Sequence, residues 1–407
     1  MSTPANERAG IPLGHRLVQL GAELRLWRPF WSTFAFRERV LPWEPELPDL
    51  ASRLRAMDAE RIHILSSDPV ALDAFLCDWF PVDHWRALEA VDPAPQGTLR
   101  AWPRCFERDV PGRKWDQVTA FCSAVGRGPE GKVVDWCAGK AHLGRALAFQ
   151  WEHADVLALE RNPALARAAA DLALRDGLTL RAETCDVMGS GVRDQLTGAA
   201  HAVALHACGA LHRRLLEMSV ASGVSAVSCA PCCFHLGPGG ELPRSMAARP
   251  ADPGLAPADL RTAVQEEVTA GGHARRRRER LQVWQLGFDA LLREGAGRSV
   301  YAAAPGAPAE VLAGDFAGYC QHAAVLKGSV LPTMVDYTRW ERRGEVRFRE
   351  VAALDLVRRR FRRLIELWLV ADLGAWLEEA GYRVRLQTFC TASLSPRNLL
   401  LQARLEV

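Results

Sequence analysis

The stretch Lys132 to Leu147, KVVDWCAGKAHLGRAL, decides how this chain is read. Lys132 to Trp136 is a short apolar run with an acid, Asp135, near its end. Cys137 to Ala141 is a turn of small residues, and from His142 to Gln150 apolar side chains recur at helical spacing, at Leu143, Ala146 and Leu147. The order is strand, tight loop, helix. Small residues in such a loop let the backbone approach a ligand, and a carboxylate at the strand tip can orient the ligand's polar groups, which suits an adenosine-bearing cofactor. The full glycine pattern D-x-G-x-G-x-G would place glycine at 137, 139 and 141, whereas this chain has Cys137, Gly139 and Ala141. An ordinary strand-to-helix turn has the same outline, so the reading depends on the strands beyond it.

A second and a third acid stand at corresponding places. Ala154 to Glu160, ADVLALE, reads as a buried strand ending in an acid 25 residues beyond Asp135. That is close to the roughly 20-residue offset at which a second-strand acid meets a ribose diol in nucleotide-binding βαβ units. Asn162-Pro163 starts a helix whose alanine-rich body runs to about Asp176. Thr179 to Asp186, TLRAETCD, reads as a third strand ending in Asp186. Solvation alone does not ask for an acid at the tip of three successive strands; a cofactor site does.

The alternation continues. Ala199 to Cys208 is a fourth apolar strand running into the turn His206-Ala207-Cys208-Gly209, and Leu211 to Ser222 is its helix. Val224 to Ala230 is a fifth strand, followed by Pro231-Cys232-Cys233-Phe234-His235. There the pattern stops. Gly237 to Ala256 is rich in glycine and proline, Pro257 to about Glu294 is charged and helical with the arginine run Arg275 to Arg278, and Val311 to Leu331 and Val351 to Arg363 are further helical segments. Phe361 to Ala380 reads as an amphipathic helix stopped by Gly381, Tyr382 to Cys390 as a strand, Ser393 to Asn398 as a turn, and Asn398 to Glu406 as a last strand. Two strands joined by so short a loop are antiparallel, which predicts a seven-stranded sheet, mostly parallel with the last strand reversed.

Ahead of this lies a segment rich in tryptophan, with Trp27, Trp31, Trp43, Trp79, Trp85, Trp102 and Trp115. Arg25, Arg28, Arg37 and Arg39 interleave with Trp27, Phe30, Trp31, Phe34 and Phe36, a composition able to stack bases and contact phosphates, although aromatics at helical spacing more often build core. Pro42, Pro45 and Pro48 break the helical pattern. The expected division is a mostly helical accessory domain over 1–130, a first core part over 131–236, a helical, arginine-rich insertion over 237–360, and the last helix and strand pair over 361–407.

Composition narrows the classes. At 407 residues with 49% hydrophobic content the chain can hold two or three domains around a sizeable core. Net charge is +3, which by itself points neither to nor away from nucleic acid, and of the 51 basic residues only Lys114, Lys132, Lys140 and Lys327 are lysine. The opening MSTPANERAG has no apolar signal core and no run is long enough to span a membrane, so the expectation is a cytoplasmic protein without a membrane partner. Eleven cysteines without regular spacing predict reduced thiols.

The residues resemble the class I S-adenosylmethionine-dependent methyltransferases, and within them the subgroup that includes the eukaryotic methyltransferase-like proteins with a CCxH-type motif and the acceptor-stem tRNA 2'-O-methyltransferases. The resemblance is carried by DWCAGKAHLGR at 135–145, Glu160 with Arg161-Asn162, LHACGAL at 205–211, APCCFH at 230–235 and SLSPRN at 393–398, over about 131–236 and 361–407. It implies a Rossmann-like seven-stranded sheet. It also implies that Asp135 and Gly139 line the methionine side of the cofactor, Glu160 takes the ribose hydroxyls, Asp186 accepts from the adenine amino group and His206 lies under the sulfonium. Cys137, Lys140, His142, Leu143, Arg161 and Val187 complete the implied cofactor set. Ala141 departs from the subgroup's glycine, and its methyl is expected to crowd the loop slightly.

For the acceptor, strand ends are the place to look, because open α/β sheets bind ligands there. His235 is titratable near neutrality and suited to removing a proton, or else to orienting its loop. Cys232 and Cys233, with Cys208 as companion, suit a thiolate that adds to a pyrimidine ring. Cys229, Cys232, Cys233 and His235 have a spacing that zinc accepts, and a plain turn packed at the sheet edge is the third reading; no metal is assigned. Ser395 and Asn398 border the acceptor or fix the last hairpin. The sum is a methyltransferase of RNA, tRNA or rRNA, with catalytic candidates His206, Cys232, Cys233 and His235 and no obligate protein partner. A protein or small-molecule acceptor, or a non-catalytic RNA- or metal-binding protein on the same scaffold, is the alternative.

Overall fold

The computed structural model describes residues 12–406 apart from 109, 129, 153, 238–241, 265–271, 296, 298–300 and 302. The opening MSTPANERAG, read for its lack of a signal core, lies outside the described residues, as does 265–271 within the expected helix 257–294. The described part of that stretch forms a 3-10 turn at Asp259–Val264 and a helix at Gly272–Ala290.

Seven strands form one sheet: β1 Gly131–Trp136, β2 Ala154–Glu160, β3 Leu180–Thr184, β4 Ala199–Cys208, β5 Ala226–Cys232, β6 Tyr382–Thr388 and β7 Leu399–Leu405, in the order β3-β2-β1-β4-β5-β7-β6. The first five pair parallel, and β7 runs antiparallel to both β5 and β6. The reversed strand is the last one, as expected. Central strands are apolar because helices cover both faces, so Val133, Val134 and Trp136 of β1 are all buried. At the far edge β6 alternates, carrying Arg383 and Arg385 on its open face. Several strand boundaries differ from expectation: β5 runs on to Cys232, past the expected Ala230, and β6 stops at Thr388, short of Cys390. β3 ends at Thr184, where Asp186 turns back to accept from the Met188 N–H at 3.0 Å. β5 starts two residues late, since the Val224 N–H closes the preceding helix by donating to Ser219.

The chain divides into two compact units that do not follow chain order: Met1–Leu26, Trp85–Val264 and Arg363–Val407 make one, and Trp27–His84 with Gln265–Arg362 make the other. In the first, the helix Gly112–Val125 packs Val118, Phe121 and Cys122 into the core with Val133, Leu143, Ala146, Leu147 and Val156. The helix Arg362–Glu379 is buried along nearly its whole length rather than on one face. Its Asp372 carboxylate accepts from the Arg244 and Ser245 N–H groups, both at 2.8 Å, and from Ser245 Oγ at 2.7 Å. Burial raises the pKa of that carboxyl against those three hydrogen bonds.

The second unit is helical. Its helices Gly272–Ala290 and Tyr337–Arg360 meet backbone to backbone, and a Cβ at Gly344 would lie 2.3 Å from the Val283 carbonyl oxygen. Trp284, Phe288, Phe316, Tyr319 and Trp340 fill a core around this crossing. Part of the Trp/Arg interleaving is spent on contacts within the unit: Trp31 and Trp43 are buried, Arg28 stands over Trp31, and Arg37 and Arg358 both stand over Phe34. Trp31, Trp43 and Phe34 are therefore not a platform for bases, because an arginine covers or a helix buries the face a base would need. No described helix is long and apolar enough to cross a membrane.

Candidate active site

The site forms where β1, β2, β3, β4 and β5 end. In the loop after β1, Cys137, Gly139 and Ala141 have φ of 57°, 60° and 52°. These are the three positions at which a full glycine pattern would have glycine, and the loop adopts the glycine conformation at all of them. A left-handed residue with a side chain costs roughly 1–2 kcal/mol, which the surrounding bonds must offset. Here the Ala141 N–H donates to Ala138 at 2.8 Å, and Ala138 in turn donates to Leu159 at 2.9 Å. Contrary to the expectation from sequence, the Ala141 methyl does not crowd the loop: it is wholly buried and packs with Ala158 and Ala169. At Gly139 the place of a Cβ has no atom within 4 Å, so the loop presents bare backbone to open space.

Glu160 accepts from the Gly139 N–H through Oε2 at 2.9 Å and from the Asn162 N–H through Oε1 at 2.8 Å. Each oxygen keeps a second lone pair, as a ribose diol requires. Asp186 is exposed and uses one oxygen on Met188. Asp135 is only 2% exposed, and its Oδ2 accepts from the Gly144 N–H at 2.8 Å. Burial outweighs that bond and the nearby Lys114 charge, and pushes the Asp135 carboxyl up to about 7. Asp135 therefore holds the loop to the following helix from beneath, while Glu160 and Asp186 lie nearer the surface. Burial, then the Glu160 charge, pushes the Cys137 thiol up to about 12.

Of the remaining implied cofactor residues, Lys140 and Arg161 are exposed, Val187 is buried, and Leu143 is turned into the core beside Phe121 and Val133. His142 is buried with its Nδ1 3.3 Å from the Arg145 guanidinium.

His206 has φ 70°, and its Nε2 lies 2.7 Å from Gln117 Oε1. Desolvation, then the charges of Lys114 and Arg397, lower its pKa. Gln117 also reaches the Leu394 carbonyl, at 3.4 Å, and so ties the tip of β4 to the loop before β7. Ser395 and Asn398 of that loop are buried, Asn398 donating to Cys390 at 2.8 Å and accepting from Arg363 at 3.0 Å. Asn398 thus ties the two ends of the last hairpin's loop together, and the Ser395 N–H donates to Thr391 at 3.1 Å. His235 is half-buried and its Nδ1 has no hydrogen-bond partner. Cys229 is fully buried within β5; the thiols that converge are Cys208, Cys232 and Cys233, with all three Sγ atoms within 4.8 Å of one another. The zinc set weighed from sequence thus changes by exchange of Cys229 and His235 for Cys208, since residues on one strand diverge while strand ends meet.

Gln117, Gly144, Lys114 and Arg397 are the residues that sequence reading left without a role. Gly144 had a signal: it is a poor helix former in the first turn of a helix, and a Cβ there would sit 2.8 Å from Asp135 Oδ2. Gln117 had none, as its partner is 89 residues away.

A sheet ordered 3-2-1-4-5-7-6 with β7 alone reversed, a left-handed loop after β1 and acids at the tips of β1 and β2 and just past β3 make up the Rossmann-like methyltransferase fold. Residues 113–236 match the model of a family described as Methyltransferase domain. No curated protein matches the chain. Among solved structures it is similar to M. capricolum TrmK in complex with S-adenosyl-homocysteine, at 14% identity and a TM-score of 0.23 over 28% of this chain and 50% of that one. It is also similar to a coclaurine N-methyltransferase bound to N-methylheliamine and S-adenosyl-homocysteine (14% identity, TM-score 0.25, 54% of this chain and 60% of that one). A human methyltransferase 10 domain containing protein is a third (12% identity, TM-score 0.21, 40% of this chain and 79% of that one). The matched domain and an all-acceptor set of carboxylates, suited to a cationic, hydroxyl-bearing ligand, point to S-adenosylmethionine as the cofactor.

Proposed function

We propose that the chain transfers a methyl group from S-adenosylmethionine to RNA. The observation that carries the transfer is the pairing of the bare Gly139 backbone with the Glu160 carboxylate, inside the stretch that matches a methyltransferase domain. The cofactor, when bound, supplies an electrophilic methyl group on a sulfonium. Glu160 and Asp186 hold its hydroxyl and amino groups, and Asp135 keeps the loop in place. His206 moves the acceptor's proton: with Gln117 Oε1 accepting from Nε2–H, Nδ1 is left basic, and the lowered pKa keeps the ring neutral at pH 7, the form a general base needs. Alignment of acceptor and methyl is then most of the protein's task.

RNA as acceptor is supported by the second unit, where a groove of about 560 Å³ is lined by Arg275, Arg276, Arg278, Arg349 and Arg359 with Phe36 and Phe348, against the acids Glu279 and Asp355. Arginines beside half-buried rings suit a phosphate backbone with unpaired bases.

Calorimetric titration with S-adenosylhomocysteine, wild type beside Glu160→Ala, tests the cofactor site. Losing a hydrogen bond to a charged group costs on the order of 1.5–3 kcal/mol, at least roughly tenfold in affinity. Wild type without affinity for the ligand would leave a non-catalytic protein on this scaffold. With binding established, radiolabelled cofactor is offered to total RNA, to protein and to small molecules from cell extract; label that ribonuclease does not release would set the RNA reading aside.

A further inference from the structure

Three thiols meet at the carboxyl edge of β4 and β5. Cys208 ends β4, Cys232 ends β5 and Cys233 follows it. Cys208 Sγ and Cys232 Sγ are 3.5 Å apart, and Cys233 Sγ completes a triangle whose sides are all within 4.8 Å. The backbone holds the triangle. The Gly209 N–H donates to Cys232 at 2.9 Å, the Leu236 N–H donates to Cys233 at 2.9 Å, and Cys233 sits at φ 49°. Gly209 has φ 58°, and a Cβ on it would be 2.0 Å from the Leu236 carbonyl oxygen, so the two strand ends meet only through a glycine.

Zinc bonded to thiolate at about 2.3 Å in a tetrahedron separates its sulfurs by about 3.8 Å, slightly more than the 3.5 Å between Cys208 and Cys232 and within the 4.8 Å that bounds the triangle. Arg397 Nη1 is 3.5 Å from Cys233 Sγ. Three thiolates around a divalent ion carry one net negative charge, and this guanidinium is placed to balance it. An all-sulfur donor set selects zinc or a similarly thiophilic ion over magnesium or calcium.

We propose that Cys208, Cys232 and Cys233 form a three-thiolate site for a thiophilic divalent ion of the zinc class. On binding, three S–H protons leave to solvent and three metal–sulfur bonds form, with no electron transferred. The fourth tetrahedral position is left for water or an exchangeable ligand, as in zinc sites that keep three protein donors.

The test uses the full chain, reduced and stripped of metal, titrated with Co²⁺ as a spectroscopic stand-in and then with Zn²⁺ in competition. The expected result is one equivalent with thiolate-to-cobalt charge-transfer absorption. Cys208→Ser, Cys232→Ser and Cys233→Ser each weaken binding at least tenfold, while Cys229→Ala leaves it unchanged. To cover a variant that does not fold, wild type is alkylated with and without Zn²⁺ and mapped by peptide, Cys208, Cys232 and Cys233 being protected together until a chelator is added. No saturable uptake by the reduced protein overturns the site, as does protection that excludes any of the three thiols. A Cys208–Cys232 disulfide in the purified protein, with no metal uptake after its reduction, overturns it in favour of a redox pair.

Discussion

Asp135 keeps its carboxyl almost wholly out of solvent on one hydrogen bond, from Gly144. Its folded pKa of about 7 lies above the 3.8 of an unperturbed carboxyl. Between these values the folded chain holds a proton that the unfolded chain releases. The contribution of Asp135 to stability is therefore fully present below pH of about 4 and is lost as pH rises through about 7. Asp135→Asn keeps an acceptor for Gly144 and removes the charge, so it should flatten the pH dependence of the denaturant midpoint across this interval and raise the midpoint at pH 8. An unaltered profile would show Asp135 to be ionised at its ordinary pKa. His201, buried against Trp151 and 3.0 Å from Ser228 Oγ, has the opposite sign. Its pKa falls from 6.5 to about 3, mainly by burial, so its contribution is present above pH of about 6.5 and is lost as pH falls through about 3. In the same titration His201→Gln should lessen the loss of stability in acid.

Two turns at the sheet edge use glycine for different ends. Gly139 faces open space with φ 60°, whereas Gly209, with φ 58°, has the Leu236 carbonyl oxygen 2.0 Å from where a Cβ would be. Gly139→Ala should cost roughly 1–2 kcal/mol of stability, the left-handed penalty alone, and should weaken S-adenosylhomocysteine by more than that because the new methyl occupies the loop's open face. Gly209→Ala adds a collision with backbone and should cost about 3 kcal/mol. Chemical denaturation and calorimetry on the same pair separate the two. Equal losses of stability would mean that the turn at Gly209 gives way. The acids at the ends of β1 and β2 and just past β3 were legible from sequence, because each belongs to a short apolar run that ends locally. The bulge between Leu205 and Cys208 that brings Cys208 beside Cys232 was not, because it exists only once β4 and β5 are paired.

At the scale of the molecule, unit boundaries cut across the chain. The segment before residue 130 was expected to be one accessory domain, yet Gly112–Val125 is a helix of the sheet-bearing unit and supplies Gln117 to His206, while Trp27–His84 belongs to the other unit. The arginine run Arg275 to Arg278 lies exposed on the helix Gly272–Ala290. If the groove it borders holds a single-stranded phosphate backbone, replacing Arg275, Arg276 and Arg278 by Gln should lower RNA affinity and reduce the slope of log affinity against log salt by roughly 0.7 for each phosphate no longer neutralised. An unchanged slope would make the run a solvated helix face. Circular dichroism serves as the control, since exposed side chains contribute little to stability.

By itself the sequence determined the alternation of strands and helices, the reversed last strand, the acids at three successive strand ends and the tight loop after the first strand, each a matter of period or of residue type within a few positions. Tertiary structure decided the rest. It turned the Ala141 methyl into the core, set Arg358 over Phe34 of the Arg/Trp segment, placed Gln117 on His206 and exchanged Cys229 for Cys208 in the thiol cluster. These are contacts between residues far apart in the chain. Local propensity has no term for them, and only the closing of the sheet and the burial of its helices sets which side chains meet.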